Sequence, residues 1–295
     1  MQHPAMVASP IAPTEHVETS RPRRIDIVPI LLAVMSILIL AGTTPQSWAD
    51  DDKREKPFDE AHLFFELNNT DGDLGIHALI DGDAWKKLEI EDPKEHRLLL
   101  VSVTSRLRRQ GLTEIFFESA EPPFDDLKPA TFFHRFPAGT YEVSGRTLDG
   151  KELESEVELT HVMPAPPEPT VNGEPMAQVC DEEERGYDAT EVSGPVTLSW
   201  PAVTRSHPDP EGGGAGVQPP VPVTIHNYEV VVEAEVEIDG EEFTSVFSII
   251  LPPDMTSMTI PTAFLALSDT FKYEVLAREK SYNQTAVESC FVLVD

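Results

Sequence analysis

The chain has 295 residues and a formal net charge of −30, from 22 Lys and Arg against 52 Asp and Glu, with 27 Pro against 16 Gly. That length suits two domains of ordinary size, and the proline content argues against a helical bundle. The acidic excess repels phosphate backbones and anionic headgroups, which argues against nucleic acid as a partner, and it keeps a protein in solution without selecting a ligand.

Residues 1–49 follow the order of a secretory signal: Arg21, Arg23 and Arg24, an apolar run over 27–41, then a polar stretch ending Ser47-Trp48-Ala49. Small residues at Ser47 and Ala49 suit cleavage after Ala49. The run falls short of the roughly 20 residues that span a bilayer as a helix, and Pro29 interrupts it. The mature chain is therefore expected to lack a membrane span and to be secreted or periplasmic, the alternative being an uncleaved N-terminal anchor. Ile25-Asp26 after Arg23-Arg24 fits a twin-arginine signal poorly. A bacterial source is the working expectation. Residues 1–49 carry three basic and three acidic side chains, so their removal leaves the acidity with the folded part.

After an acidic leader at 50–57, a β-rich domain is expected over 58–162. Short apolar stretches at 63–67 and 74–80 flank Asn68-Asn69-Thr70-Asp71-Gly72-Asp73, and Asp81-Gly82-Asp83 reads as a turn into a strand over 85–90. Further strands are expected at 98–103 and 114–118, and a hairpin at 141–146 and 152–160 across Leu148-Asp149-Gly150-Lys151. One short helix is expected from Pro129 to Phe136, with Phe132, Phe133 and Phe136 sharing a face that packs inward.

A Pro-rich linker follows at 163–175, with Pro164, Pro166, Pro167, Pro169 and Pro175 favouring an extended connection. Its end merges into the next strand region, since prolines sit readily on sheet edges.

The remainder, placed at 176–295, reads as alternating strands again. Val196-Thr197-Leu198-Ser199-Trp200-Pro201 is an apolar-alternating segment ending in Trp-Pro. Tyr228-Glu229-Val230-Val231-Val232 follows, then Phe271-Lys272-Tyr273-Glu274-Val275-Leu276-Ala277. In this order the three segments resemble the second, third and sixth strands of a fibronectin type III domain, over about residues 166–294. The resemblance implies an immunoglobulin-like sandwich with Trp200, Tyr228, Phe271, Tyr273 and Val275 in its core. Phe271 stands where that family usually has Tyr, which removes a corner hydrogen bond. The Gly- and Pro-rich loop over 205–222 is longer than usual. The fold class is thus mostly β: two tandem antiparallel β domains, the second a fibronectin type III-like sandwich, the first β-rich with one short helix.

Cys180 and Cys290 are the only cysteines, which in an oxidising compartment suggests one disulfide; two buried free thiols are the alternative. Asn69, Asp71 and Asp73 stand at the alternate spacing of calcium-loop ligands, but Leu74 and Ile80 occupy the positions where such a loop needs Gly and a carboxylate. A hairpin tip explains the segment as well. No cofactor is expected, with Ca²⁺ as a minor possibility. His207 and Asp209 make at most half a metal site. Arg106, Arg108 and Arg109 form the one basic cluster, either docking an acidic partner or pairing with Glu114 and Glu118. Asn68-Asn69-Thr70 and Asn283-Gln284-Thr285 match the glycosylation sequon. No nucleophile, metal or phosphate motif is present. The expected role is a non-catalytic module of the periplasm or cell exterior that presents β-sandwich loops to a protein or polysaccharide. A calcium-responsive or carbohydrate-binding accessory protein, and an enzyme with an unrecognised site in the first domain, are the alternatives.

Overall fold

Apolar alternation, interrupted at Phe64, governs the strands that open the folded part. In the computed structural model, which describes residues 56–177, 180, 189–208, 220–238 and 240–294, β1 (Glu60–Asn68) and β2 (Asp73–Glu91) form an antiparallel hairpin. They bury Leu63, Phe65, Leu67, Leu74, Ile76, Ala78 and Ile80 on one face. The expected signal peptide, most of the leader and the middle of the Gly- and Pro-rich loop lie outside the described residues. At the tip, Asn68 Oδ1 accepts from the Thr70 and Asp71 amides, and Gly72 supplies the positive φ that closes the turn.

The Asp81-Gly82-Asp83 expectation is corrected: β2 continues through it for 19 residues, bending instead of turning back. Its first part pairs with β1 and with β4 (Leu112–Glu118); its second part pairs with β3 (Arg97–Ser102) and β5 (Gly139–Thr147), with register shifts between Asp81 and Trp85 and between Trp85 and Lys87. Gly82 packs closely under Phe58, since a Cβ there would lie 3.1 Å from the ring. Between β3 and β4 sits α1 (Leu107–Gln110), a single turn the sequence reading did not anticipate. α2 (Pro129–Arg135) begins with proline in its first turn and stops at Phe136, which precedes Pro137 and so disfavours helical geometry. Phe132 and Phe133 of α2 meet Phe65 edge-on at 5.4 and 5.3 Å between ring centroids. Each such aromatic contributes roughly 1.5–3 kcal/mol through burial. β5 continues into β6 (Glu152–Leu159).

The Pro-rich stretch lies on the fold. Pro164 bridges to Ser206, the Ala165 amide donates to the Arg205 carbonyl, and the stretch ends in β7 (Thr170–Val171) and β8 (Glu174–Pro175). There follow β9 (Thr190–Val192), β10 (Thr197–Ser199), β11 (Ile225–Ile238), β12 (Glu241–Leu251), β13 (Ser257–Thr259), a short α3 (Thr262–Leu265), β14 (Thr270–Glu279) and β15 (Gln284–Leu293). A four-stranded sheet in the order β13-β10-β7-β8 faces the run β12-β11-β14-β15. Trp200, Tyr228, Phe271, Tyr273 and Val275 are buried within the apolar cluster that these strands form. Trp200 meets Tyr228 at 5.4 Å, and Phe271 stacks on Phe291 at 4.9 Å.

The two cores are joined edge to edge. β1 pairs in parallel with β15, Glu66 to Gln284, Leu67 to Thr285 and Asn68 to Ala286, so one sheet runs β12-β11-β14-β15-β1-β2-β5-β6. Parallel pairing is a departure from the purely antiparallel expectation, and it arises because β1 and β15 belong to different halves with no hairpin between them. Asn283, fully buried, accepts from the Phe65 amide at 2.8 Å and donates to the Thr160 and Val162 carbonyls at 2.9 and 3.0 Å. Thr285 Oγ1 donates to the Pro164 carbonyl at 2.7 Å. The protein is mostly β.

Candidate functional site

The face of this sheet opposite the second core collects acidic side chains at the seam. Period-two alternation puts Glu66 and Asn68 of β1, Asp73 and His77 of β2, Gln284 and Glu288 of β15, Glu274 of β14 and Glu229 and Glu233 of β11 on that face. Glu274 stands directly across from Glu288. Gly75 makes room for one more: a Cβ there would sit 1.9 Å from Glu121 Oε1, so only glycine lets Glu121 lie across β2. Glu121 Oε1 is 3.0 Å from His77 Nε2, and Glu66 Oε2 is 3.8 Å from His77 Nδ1.

The electrostatics follow from burial. Glu274, 5% exposed, has one carboxylate oxygen with no hydrogen-bond partner among the described residues; desolvation, then the charges of Glu66, Glu288, Glu229 and Glu233, raise its pKa well above the usual range. Glu66 is pushed up by desolvation and by Glu121, with His77 and a hydrogen bond from Gln284 opposing. Asp73 is raised to about 7 by desolvation and by Glu121, Asp71, Glu288 and Glu66. Burial depresses the His77 pKa, but the Glu121 hydrogen bond and the Glu66 and Glu121 charges outweigh it and the net shift is upward. Arg278 supplies the local counter-charge, donating to Gln284 at 2.7 Å and pairing with Glu229 at 3.3 Å.

Several residues singled out from sequence are placed by the same seam. Asn69 Oδ1 lies 3.1 Å from His207 Nε2, whereas Asp73 belongs to the acidic cluster and feels the Asp71 charge there. Among the described residues no group of three or more His, Cys, Asp or Glu is arranged to hold a metal ion. Asp209 lies outside the described residues, and the His207 amide donates to the Met163 carbonyl. Neither sequon is open in the folded chain, because Asn283 is fully buried and Asn68 donates to Glu288 at 2.6 Å. Arg106, Arg108 and Arg109 are exposed around α1 and form no ion pair with Glu114 or Glu118 among the described residues. Cys180 and Cys290 form a disulfide with Cα atoms 5.7 Å apart, tying the stretch after β8 to β15.

A second surface lies at the far end of the sheet. Among the described residues β12 is its terminal strand, bonded to β11 alone. On its outward side Val246 and Ile250 are exposed, and Phe243 is exposed at its start. Beside them on β11 stand Glu229, Glu233, Glu235 and Glu237, with Glu242 on β12 itself. The sequence reading looked for binding in loops and did not single out this strand. Its signal is an apolar run over 246–251, broken only by Ser248, with no Lys, Arg or His anywhere in 227–271.

No family model matches the chain, and no curated protein does. Among solved structures, it is similar to one reported for host cell surface retention of a 1.5-MDa bacterial ice-binding adhesin, at 12% identity and a TM-score of 0.19 over 81% of this chain. It is also similar to the BSP domain of a biofilm associated protein, at 11% identity and a TM-score of 0.22 over 80% of this chain. The matches span 65% and 29% of those chains. At such TM-scores neither bears on what this chain binds.

Proposed function

We propose that this chain is an exported, non-catalytic interaction protein that presents a β-sandwich surface to a protein or polysaccharide partner of the periplasm or cell exterior. The observation that carries the reading is the apolar edge of β12, where Val246, Ile250 and Phe243 are exposed beside the carboxylates of β11. An exposed apolar strand edge invites pairing, and soluble proteins commonly blunt it with lysine, proline or a bulge. β12 itself has no Lys or Pro. The Cys180–Cys290 bridge supports an oxidising compartment. The strand orders β13-β10-β7 and β12-β11-β14-β15, with Trp200 against Tyr228, support a fibronectin type III-like sandwich for the second half.

The full chain expressed with its own leader tests the compartment. Mass spectrometry is expected to find a mature form beginning at Asp50 and lacking the two thiol hydrogens. Recovery of the protein in the cytoplasm with free thiols contradicts the reading. For the binding role, the purified mature protein is expected to retain a partner from envelope extracts above a bare-matrix control, and no retention counts against it.

A further inference from the structure

We propose that β12 is a docking edge for an extended, cationic segment of a partner protein, which adds to the sheet as one more strand. This deepens the interaction reading by naming its surface and the chemistry of its ligand.

Three observations converge on β12. It is 11 residues long and, among the described residues, pairs on one side only, so about half of its backbone N–H and C=O groups face outward. Its solvent face carries Val246 at 55% and Ile250 at 59% exposure, while Phe247 and Ile249 on the other face are only partly covered and Phe243 is open. Directly behind it on β11, Glu233 pairs with Val246, Glu235 with Thr244 and Glu237 with Glu242.

That arrangement specifies an occupant. An added strand lies about 5 Å from β12 and about 10 Å from β11, roughly one Debye length at 0.1 M salt, so the β11 carboxylates act on it most strongly at lower ionic strength. Lysine or arginine at alternate positions would lay aliphatic stems over Val246 and Ile250 and carry their charges toward Glu233 and Glu235. The intervening positions face Phe243, Phe247 and Ile249, where apolar side chains bury surface. A second copy of the chain fits badly, because residues 227–271 carry nine carboxylates and no base, and each copy brings a net −30. The two bases facing this sheet from β14 are already placed: Lys272 stands opposite Glu233 and Arg278 pairs with Glu229, both on the far side of β11 from the open edge.

The probe is a fluorescein-labelled ten-residue peptide alternating lysine with valine, titrated against the full chain by anisotropy. Binding is expected at 50 mM salt and at least tenfold weaker at 300 mM. The double variant Val246→Lys, Ile250→Lys, with an unchanged melting temperature, is expected to weaken it at least tenfold. A peptide with proline in place of valine has the same charge but cannot complete the ladder, and is expected to bind at least tenfold more weakly. No binding of the lysine–valine peptide, equal binding to the double variant, or equal binding of the proline peptide overturns the proposal. So does a concentration-dependent dimer in sedimentation that the double variant abolishes, since a second copy then occupies the edge. If the double variant still captures the envelope partner at wild-type levels, the edge proposal fails while the interaction reading stands.

Discussion

The two apolar cores and the seam between them are built from opposite materials. Each core is a packed set of aromatic and aliphatic side chains, Trp85, Tyr141 and Phe65 in one and Tyr228, Phe271 and Phe291 in the other, all at 2% exposure or less. The seam has three residue pairs of parallel ladder, one fully buried asparagine and a crowd of carboxylates with raised pKa values. Burial stabilises the cores without regard to pH or direction. The seam depends on individual hydrogen bonds and pays in electrostatic repulsion, so its stability should be pH-dependent where that of the cores is not.

The contrast orders the expected effects. Trp85→Ala empties a fully buried site and is expected to cost about 3–5 kcal/mol in urea unfolding. Cys180→Ser opens a closure of 110 residues and is expected to cost roughly 4 kcal/mol, shown by a melting temperature that no longer responds to reductant. Asn283→Ala leaves the Phe65 amide and two carbonyls without their partner, and a loss of about 2–3 kcal/mol is expected. A loss below about 0.5 kcal/mol would show that the seam contributes little.

Smaller shifts read the seam's charge. Asp73 holds its proton in the folded protein up to about pH 7, whereas the unfolded chain releases it near 3.8. The folded state therefore binds the proton more tightly, and stability from this group is full below pH 3.8 and lost as pH rises to about 7. Asp73→Asn is expected to flatten that part of the stability profile, with Glu121, Asp71, Glu288, Glu66 and His77 still present around the site. Glu274→Gln replaces a buried carboxyl, which burial and the charges of Glu66, Glu288, Glu229 and Glu233 make harder to ionise in the folded than in the unfolded chain, with a group that does not ionise, so the melting temperature is expected to rise at pH 8 and to stay unchanged at pH 4. A lower melting temperature at pH 8 would show that the charged form is needed.

Much of the strand pattern was legible because it is local. Alternation marked β1, β5, β6 and β14, and Pro129 with a following aromatic stripe marked α2. Asp81-Gly82-Asp83 misled because the same dipeptide serves a hairpin or a bend, and the outcome depends on Phe58 packing over Gly82. The seam had no local signal: Asn283 and Phe65 are 218 residues apart, and Glu66, Glu274 and Glu288 each read alone as an ordinary polar position on an amphipathic strand. The open edge was hidden for a related reason. Whether Val246 and Ile250 face a neighbour or water depends on the strand order and not on the residues beside them.

The joining of both halves in one sheet is tested most directly by hydrogen exchange at the Phe65 amide, which donates to a side chain from the other half. Protection comparable to that of the central Val230 amide is expected, falling roughly 30-fold or more in Asn283→Ala while Val230 keeps its own. A Phe65 amide that exchanges at the rate of an exposed loop in the unaltered protein, with Val230 protected, would mean that the halves do not share the seam.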